Sequence, residues 1–328
     1  MAVFAFGGEA DSYNLPAGHS FAHESTAGRF EANASRNALL VTSGTSEVIL
    51  PFNTTLSTFW LHMYLYHEAA PASNTDYILF RTAAGTETPY KIIHNTDSTW
   101  TIQRFKSGSF STIGTTASPV LVNAAANIDF EVVRHLTAGV FRIYKDGTQI
   151  FSFTGDTDTD NPVGQMRFQG LTTNTREANL SQVIVADEST IGWKLATLSP
   201  DGNGANTAWT NDFTAVDEST YNSADFIETN ALTQTETFTV SNINAAYSTY
   251  NVKAVGVSMR ASNDSGSAVN DIQAVLRTAG VNYTSANLAL TKDGNEYTVQ
   301  ALWQTNPNTT AVWTQSEVNA LEAGVRSV

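Results

Sequence analysis

The sequence predicts an all-β protein built of two β-sandwich, jelly-roll-like domains with one short helix close to its C-terminal end. Three observations carry that prediction. Period-two alternation of apolar and polar residues recurs along the chain, Asp-Gly turns follow or divide such runs, and helical periodicity with a recognisable cap occurs in one place. Composition agrees: charged residues make up 15% of the chain, below the roughly 25% of ordinary soluble domains. Thr, Ser and Asn fill the polar share. Thr suits a pleated surface, while Asn and Ser compete with helical hydrogen bonds.

Residues 57–68 (STFWLHMYLYHE) place Phe59, Leu61, Met63 and Leu65 on one face and Trp60, His62, Tyr64 and Tyr66 on the other. Further strands fit 77–81, 90–94 and 99–105. Residues 128–134 alternate Ile128, Phe130 and Val132 against Asp129, Glu131 and Val133, and a turn at His135–Gly139 leads into VFRIY. Asp146-Gly147 then turns the chain into QIFSF, the strongest short-range hairpin signal in the sequence. A strand at 181–186 closes the set.

The stretch 199–208 (SPDGNGANTA) is the richest in Gly, Asn, Asp and Pro, which predicts a boundary within 195–205 and domains of 1–195 and 196–328. The 328 residues suit two domains at roughly 150 residues each. Beyond the boundary, strands are expected at 236–240, 252–259, 272–277 and 296–303, with Lys292-Asp293-Gly294-Asn295 as a hairpin turn. Tyr297, Val299, Ala301 and Trp303 share one face of the last of these. Thr314 and Glu317 form a T-x-x-E capping box before VNALEAG, with Gly324 as a left-handed stop. Trp303 and Trp313 are the expected anchors of this C-terminal core.

Several function classes are disfavoured. The balance of 17 Lys+Arg against 31 Asp+Glu gives a net charge of −14, which repels a phosphate backbone, so no nucleic-acid partner is expected. Zero cysteines remove disulfides, cysteine zinc sites and thiol nucleophiles. No apolar run approaches the roughly 20 residues that span a bilayer, and the opening residues lack the pattern of a signal peptide; no membrane insertion and cytoplasmic synthesis are expected. Nucleophile-elbow, Walker and dinucleotide motifs do not occur.

The candidate sites are few. The Trp60, His62, Tyr64, Tyr66 face would be covered by core or loop packing, would meet another subunit, or would stack on a sugar. Asp156, Asp158 and Asp160 alternate in GDTDTDNPVG and could converge on a calcium ion, although the run lacks the glycine and glutamate of an EF-hand and such clusters also build turns. His19 and His23 have i, i+4 spacing, but Pro16, Gly18 and Gly28 argue for loop and strand, and no zinc is expected. Asp129 and Glu131 are the one ordered carboxylate pair of interest, on a strand face backed by apolar core.

STFWLHMYLY, IDFEVVRHLTAGVFRIYKDGTQIFSF and SQVIVADEST resemble the long aromatic strand, the hairpin pair and the closing strand of concanavalin A-like, laminin-G-like sandwiches over roughly residues 20–190. The glucanases of that family carry E-x-D-x-x-E on one strand; no such string occurs here, so no catalytic residues are expected and the chain is read as not an enzyme. TAWTNDFTAVDESTYNSADFIET, YNVKAVGVSMRAS and ALWQTNPNTTAVWTQSEVNALEAGVRSV resemble the C-terminal module of tailed-bacteriophage structural proteins. That resemblance implies a virion component, in tail, fibre or head appendage, acting as a homo-oligomer, with a trimer as the expected form in a fibre, beside other virion proteins. The competing expectation is an adhesin that attaches the particle to host surface glycans through the first domain.

Overall fold

The computed structural model describes residues 2–9, 12–13, 23–35, 37–42, 47–169, 177–219 and 222–328. The chain divides into two compact units, Met1–Leu195 and Ala196–Val328.

The first unit contains β1 (Val3–Gly7), β2 (His23–Glu24), β3 (Ala38–Thr42), β4 (Glu47–Leu56), β5 (Thr58–His67), β6 (Thr75–Arg81), β7 (Tyr90–His94), β8 (Trp100–Lys106), β9 (Ser109–Thr115), β10 (Ala124–Val133), β11 (Gly139–Lys145), β12 (Thr148–Gly155), β13 (Val163–Gln169) and β14 (Glu177–Ala186). These form two antiparallel sheets, one ordered β12-β11-β10-β5-β14-β3-β2 with β1 also on β14, the other β4-β13-β6-β7-β8-β9. Phe59, Leu61, Met63 and Leu65 of β5 are buried in the core between them, with Phe130 of β10, Phe141 of β11, Phe52 of β4, Phe80 of β6 and Trp100 of β8. The expected alternation of β5 is therefore the one the sandwich uses. The β11–β12 hairpin turns at Asp146 and Gly147, both with positive φ (48° and 76°), the backbone that Asp-Gly permits.

At one end of this core two imidazoles are enclosed. The ring centroids of His67 and His94 lie 4.4 Å apart, and His67 meets Tyr77 edge-on at 5.1 Å. His67 donates through Nδ1 to the Ala69 carbonyl at 3.2 Å. Burial first, and then the neighbouring His94, lower its pKa from 6.5 to about 3.

The second unit contains β15 (Pro200–Thr207), β16 (Thr235–Val240), β17 (Val255–Ser262), β18 (Asp271–Thr278), β19 (Val281–Thr284), β20 (Leu288–Ala289), β21 (Glu296–Trp303), α1 (Gln315–Val318) and β22 (Glu322–Ser327). One sheet runs β15-β16-β22-β18-β19 with β20 on β18, and β17 pairs with β21 in a second. Val257 of β17 and Ala301 of β21 pack with Ala274 and Leu276 of β18 and with Trp313, Val318 and Leu321. Trp313 is buried and donates its indole N–H to the Trp303 carbonyl at 3.1 Å, while Trp303 is partly buried against the same cluster.

The units divide after Leu195, and Pro200–Thr207 is already an edge strand of the second, where Gly202 and Gly204 lie so close to Thr239 and Thr237 that a Cβ would fall within 2.8 Å of their atoms. Two expectations for this unit are corrected. Residues 292–295 do not close a hairpin, because β20 pairs with β18 and β21 with β17; the Asp293 carboxylate instead accepts from Asn295 N–H and the Tyr297 hydroxyl. The capping box forms, with Thr314 and Glu317 exchanging hydrogen bonds, yet the helix lasts only four residues. Residues 322–327 are extended and enter the sheet centre between β16 and β18. Gly324 is absent from the positive-φ positions, so it is no helix stop. Its role is close approach: a Cβ there would lie 1.9 Å from the Glu236 carbonyl oxygen.

Two outcomes follow from this packing. Gly324→Ala should destabilise the second unit by at least about 2 kcal/mol, since the backbone it strikes belongs to the neighbouring strand and has no room to yield; urea unfolding of the full chain measures it. His67, with its pKa lowered on folding, favours the folded state fully above pH 6.5, and that contribution falls away as pH drops from 6.5 towards about 3. The stability of the first unit should fall with a slope approaching about 1.4 kcal/mol per pH unit from this group, and His67→Gln should flatten the profile in that window.

Candidate functional site

The outer face of the larger sheet in the first unit can be laid out from strand register. Trp60 stands opposite Glu131 and Ala186, His62 opposite Asp129 and Ile184, Tyr64 opposite Asn127 and Ser181, and Tyr66 opposite Ala125 and Asn179. On β11, Arg142 lies beside Glu131 and Tyr144 beside Asp129. The four residues expected on one face of β5 do share it, but they meet different surroundings. His62 is fully buried, Tyr66 is buried, and Trp60 and Tyr64 are half-buried.

The covered half of the face lies under two segments. Residues 187–195, which follow β14, fold back over the sheet. The Thr190 hydroxyl donates to Asp129 Oδ1 at 2.7 Å, and the His62 imidazole donates through Nδ1 to the same oxygen at 2.9 Å. Lys194 Nζ donates to Asn127 Oδ1 at 3.0 Å and to Glu31 Oε2, and the Leu195 N–H donates to Gln182 Oε1. Gln182 is set outward by a bulge in the β14–β5 pairing and has a φ of 53°. From the other side the Arg29 guanidinium sits 4.9 Å from the centroid of the Tyr66 ring. For His62 and Tyr66, then, loop packing is what the structure contains. His62 Nε2 and Asp129 Oδ2 are buried with no hydrogen-bond partner among the described residues.

The open half is different in kind. Trp60 and Tyr144 stack with centroids 5.6 Å apart and planes 24° from parallel, both half-buried. Beside them, Glu131 Oε2 accepts from Arg142 at 2.8 Å and from the Tyr144 hydroxyl at 3.3 Å. The hydrogen bond to Glu131 raises the Arg142 pKa, and burial, followed by the Glu131 charge, raises that of Tyr144. The result is a flat apolar surface with a fixed carboxylate–guanidinium pair at its margin. Such a surface offers ring faces to C–H groups and both donors and acceptors to hydroxyls. Arg142 and Tyr144 were not singled out from the sequence. Their signal is the alternation in VFRIYK, where buried Phe141 and Ile143 force both to the outside.

The remaining candidates are placed as follows. Asp129 and Glu131 share the outer face, but Asp129 is sealed beneath Thr190 while Glu131 is tied to Arg142. The acidic loop is met by cations of this chain. Asp156 pairs with Arg104 and, at 3.6 Å, with Lys106; Asp158 pairs with Lys106 at 3.1 Å and Arg134 at 3.0 Å; Asp160 accepts from the Ser107 N–H. The Arg104 hydrogen bond holds the Asp156 carboxyl down at about 2. A calcium ion would have to displace these cations, and among the described residues no group of three or more His, Cys, Asp or Glu is placed to hold a metal. Of the two spaced histidines, His19 lies outside the described residues and His23 begins β2.

No protein-family model and no curated protein sequence matches the chain. Among solved structures it is similar to the binding domain of Paraclostridial Mosquitocidal Protein 1, at 14% identity and a TM-score of 0.44, over 57% of this chain and 48% of that one. The chain thus spans about half the length of that domain. It is also similar to the carbohydrate-binding module CBM66 from Bacillus subtilis (13% identity, TM-score 0.35, 54% of this chain and 96% of that one). A third likeness is to the Caenorhabditis elegans galectin LEC-6 (15% identity, TM-score 0.34, 45% and 95%).

Proposed function

We propose that the first unit binds carbohydrate through the open half of its outer sheet face. The observation that carries this reading is the half-buried Trp60–Tyr144 stack with the hydrogen-bonded Glu131–Arg142 pair at its edge. A pyranose presents an apolar C–H face and a rim of hydroxyls, and this surface complements both. The chemistry is binding without turnover: hydrolysis needs an acid and a base on opposite sides of the scissile bond, whereas Asp129 is engaged by His62 and Thr190 and Glu131 by Arg142.

The resemblance of the closing segment to tailed-phage proteins supports a setting for this module. In that setting the chain is a homo-oligomeric virion component, a trimer in a fibre, that holds host surface glycans and contacts other virion proteins through the rest of its surface. Presenting several copies of a weak site on one particle would raise avidity without any new contact.

Calorimetric titration of the full chain with host surface oligosaccharides tests the reading. Saturable binding is expected, and Trp60→Ala should weaken it at least tenfold, about 1.4 kcal/mol, with the circular dichroism spectrum unchanged and no reducing ends released. Binding that is indifferent to both Trp60→Ala and Tyr144→Ala, or no binding to any saccharide offered, would overturn it.

A further inference from the structure

Where residues 187–195 cross the sheet, four side chains form a continuous chain of contacts. Glu31 Oε2 accepts from Lys194 Nζ at 2.5 Å, Lys194 Nζ also donates to Asn127 Oδ1 at 3.0 Å, and Asn127 Nδ2 donates to Asp146 Oδ1 at 3.2 Å. In chemical terms this is a base on an amine, the amine on a carboxamide, and a carboxylate orienting the amide nitrogen. The geometry points to an autocatalytic isopeptide bond between Lys194 and Asn127, formed after folding with Glu31 as the base.

The step balances within the chain. Glu31 accepts one proton from the Lys194 ammonium, and the freed amine attacks Asn127 Cγ. A second proton passes from the attacking nitrogen to Nδ2 in the tetrahedral adduct, where Asp146 holds that nitrogen in place. The Cγ–Nδ2 bond breaks, the Nζ–Cγ bond remains, and ammonia departs with the proton that Glu31 held, as ammonium. No oxidant, cofactor or second molecule is consumed.

The surroundings favour this over a plain ion pair. Lys194 and Glu31 are mostly buried, with side-chain exposures of 15% and 23%, while the amide nitrogen of Asn127 meets Asp146 on the solvent-exposed side, where the leaving ammonia can escape. Gln182 Nε2 donates to Glu31 Oε2 at 3.3 Å and holds the base in position. Tyr64 stands opposite Asn127 in the β5–β10 pairing. Burial, and then the charges of Glu31 and Asp146, raise the pKa of its phenol. Reactivity of this kind depends on holding the reacting groups close and in fixed orientation, and the sheet on one side and the pinned segment on the other hold Lys194 Nζ 3.0 Å from the Oδ1 of the carboxamide it would attack. The bond would join positions 67 residues apart, closing a long loop in the unfolded chain as a disulfide does, in a protein with no cysteine.

Intact mass of the denatured, purified full chain is the test, with proteolysis to locate any junction. The expected mass is that of the sequence less one ammonia, with a branched peptide joining Asn127 to Lys194. Lys194→Arg, which keeps the cation, and Glu31→Gln should each restore the full mass while leaving the circular dichroism spectrum unchanged. A wild-type chain at full mass after prolonged incubation in the folded state overturns the inference. So does a loss of ammonia that persists in Lys194→Arg, which would report cyclisation of an asparagine elsewhere.

Discussion

Strand β5 sits in the middle of the larger sheet of the first unit, with β10 on one side and β14 on the other, so neither of its faces can be left bare without cost. Its inner face is met by the second sheet, and each large apolar side chain buried there contributes about 1.5 to 3 kcal/mol. Its outer face carries Trp60, His62, Tyr64 and Tyr66, too much aromatic surface for a solvated sheet and too polar for a dry core. The rest of the unit is arranged around that mixed face. Two segments distant in sequence, around Glu31 and from Asp187 to Leu195, close over part of it and leave the rest open.

The covering is specific because it is polar. Asp129 is a buried carboxylate, and its Oδ1 is satisfied from above by Thr190 and from the same face by His62. With Oδ2 already without a partner, losing Thr190 would leave the whole buried carboxylate to a single donor, His62, and a poorly satisfied buried charge costs more than the hydrogen bond itself contributes. The pin therefore fixes the register of the segment on the sheet, and that in turn brings Lys194 onto Asn127. It also fixes where the cover ends, which is what leaves Trp60 and Tyr144 accessible.

Much of this was legible in the sequence, and the failures have physical causes. The fold class and the two faces of β5 follow from period-two alternation, the β11–β12 turn from the positive φ that Asp146-Gly147 tolerates, and the helix start from the Thr314–Glu317 box. Glycine misled at Gly324. There, as at Gly202 and Gly204, the residue serves close backbone approach inside a sheet, which local pattern does not distinguish from a helix stop. For Asp156, Asp158 and Asp160 a calcium site stayed open beside a plain turn because their partners are remote in sequence, Arg104 and Lys106 on β8 and Arg134 just past β10. The same limit left open which segments cover β5: Lys194 and Glu31 are 163 residues apart, and only the folded chain brings them together.

The central claim is that one sheet face is divided into a covered half and an open, ligand-binding half. Oxidative footprinting of the full chain, with and without a saturating oligosaccharide, tests it most directly, because modification rates of individual aromatic rings report their access to solvent. The account predicts rapid modification of Trp60 and Tyr144 and slow modification of Tyr66 in the free protein, with Trp60 and Tyr144 protected when saccharide is bound. Tyr66 reacting as fast as Trp60, or a bound saccharide that leaves Trp60 unprotected, would contradict it.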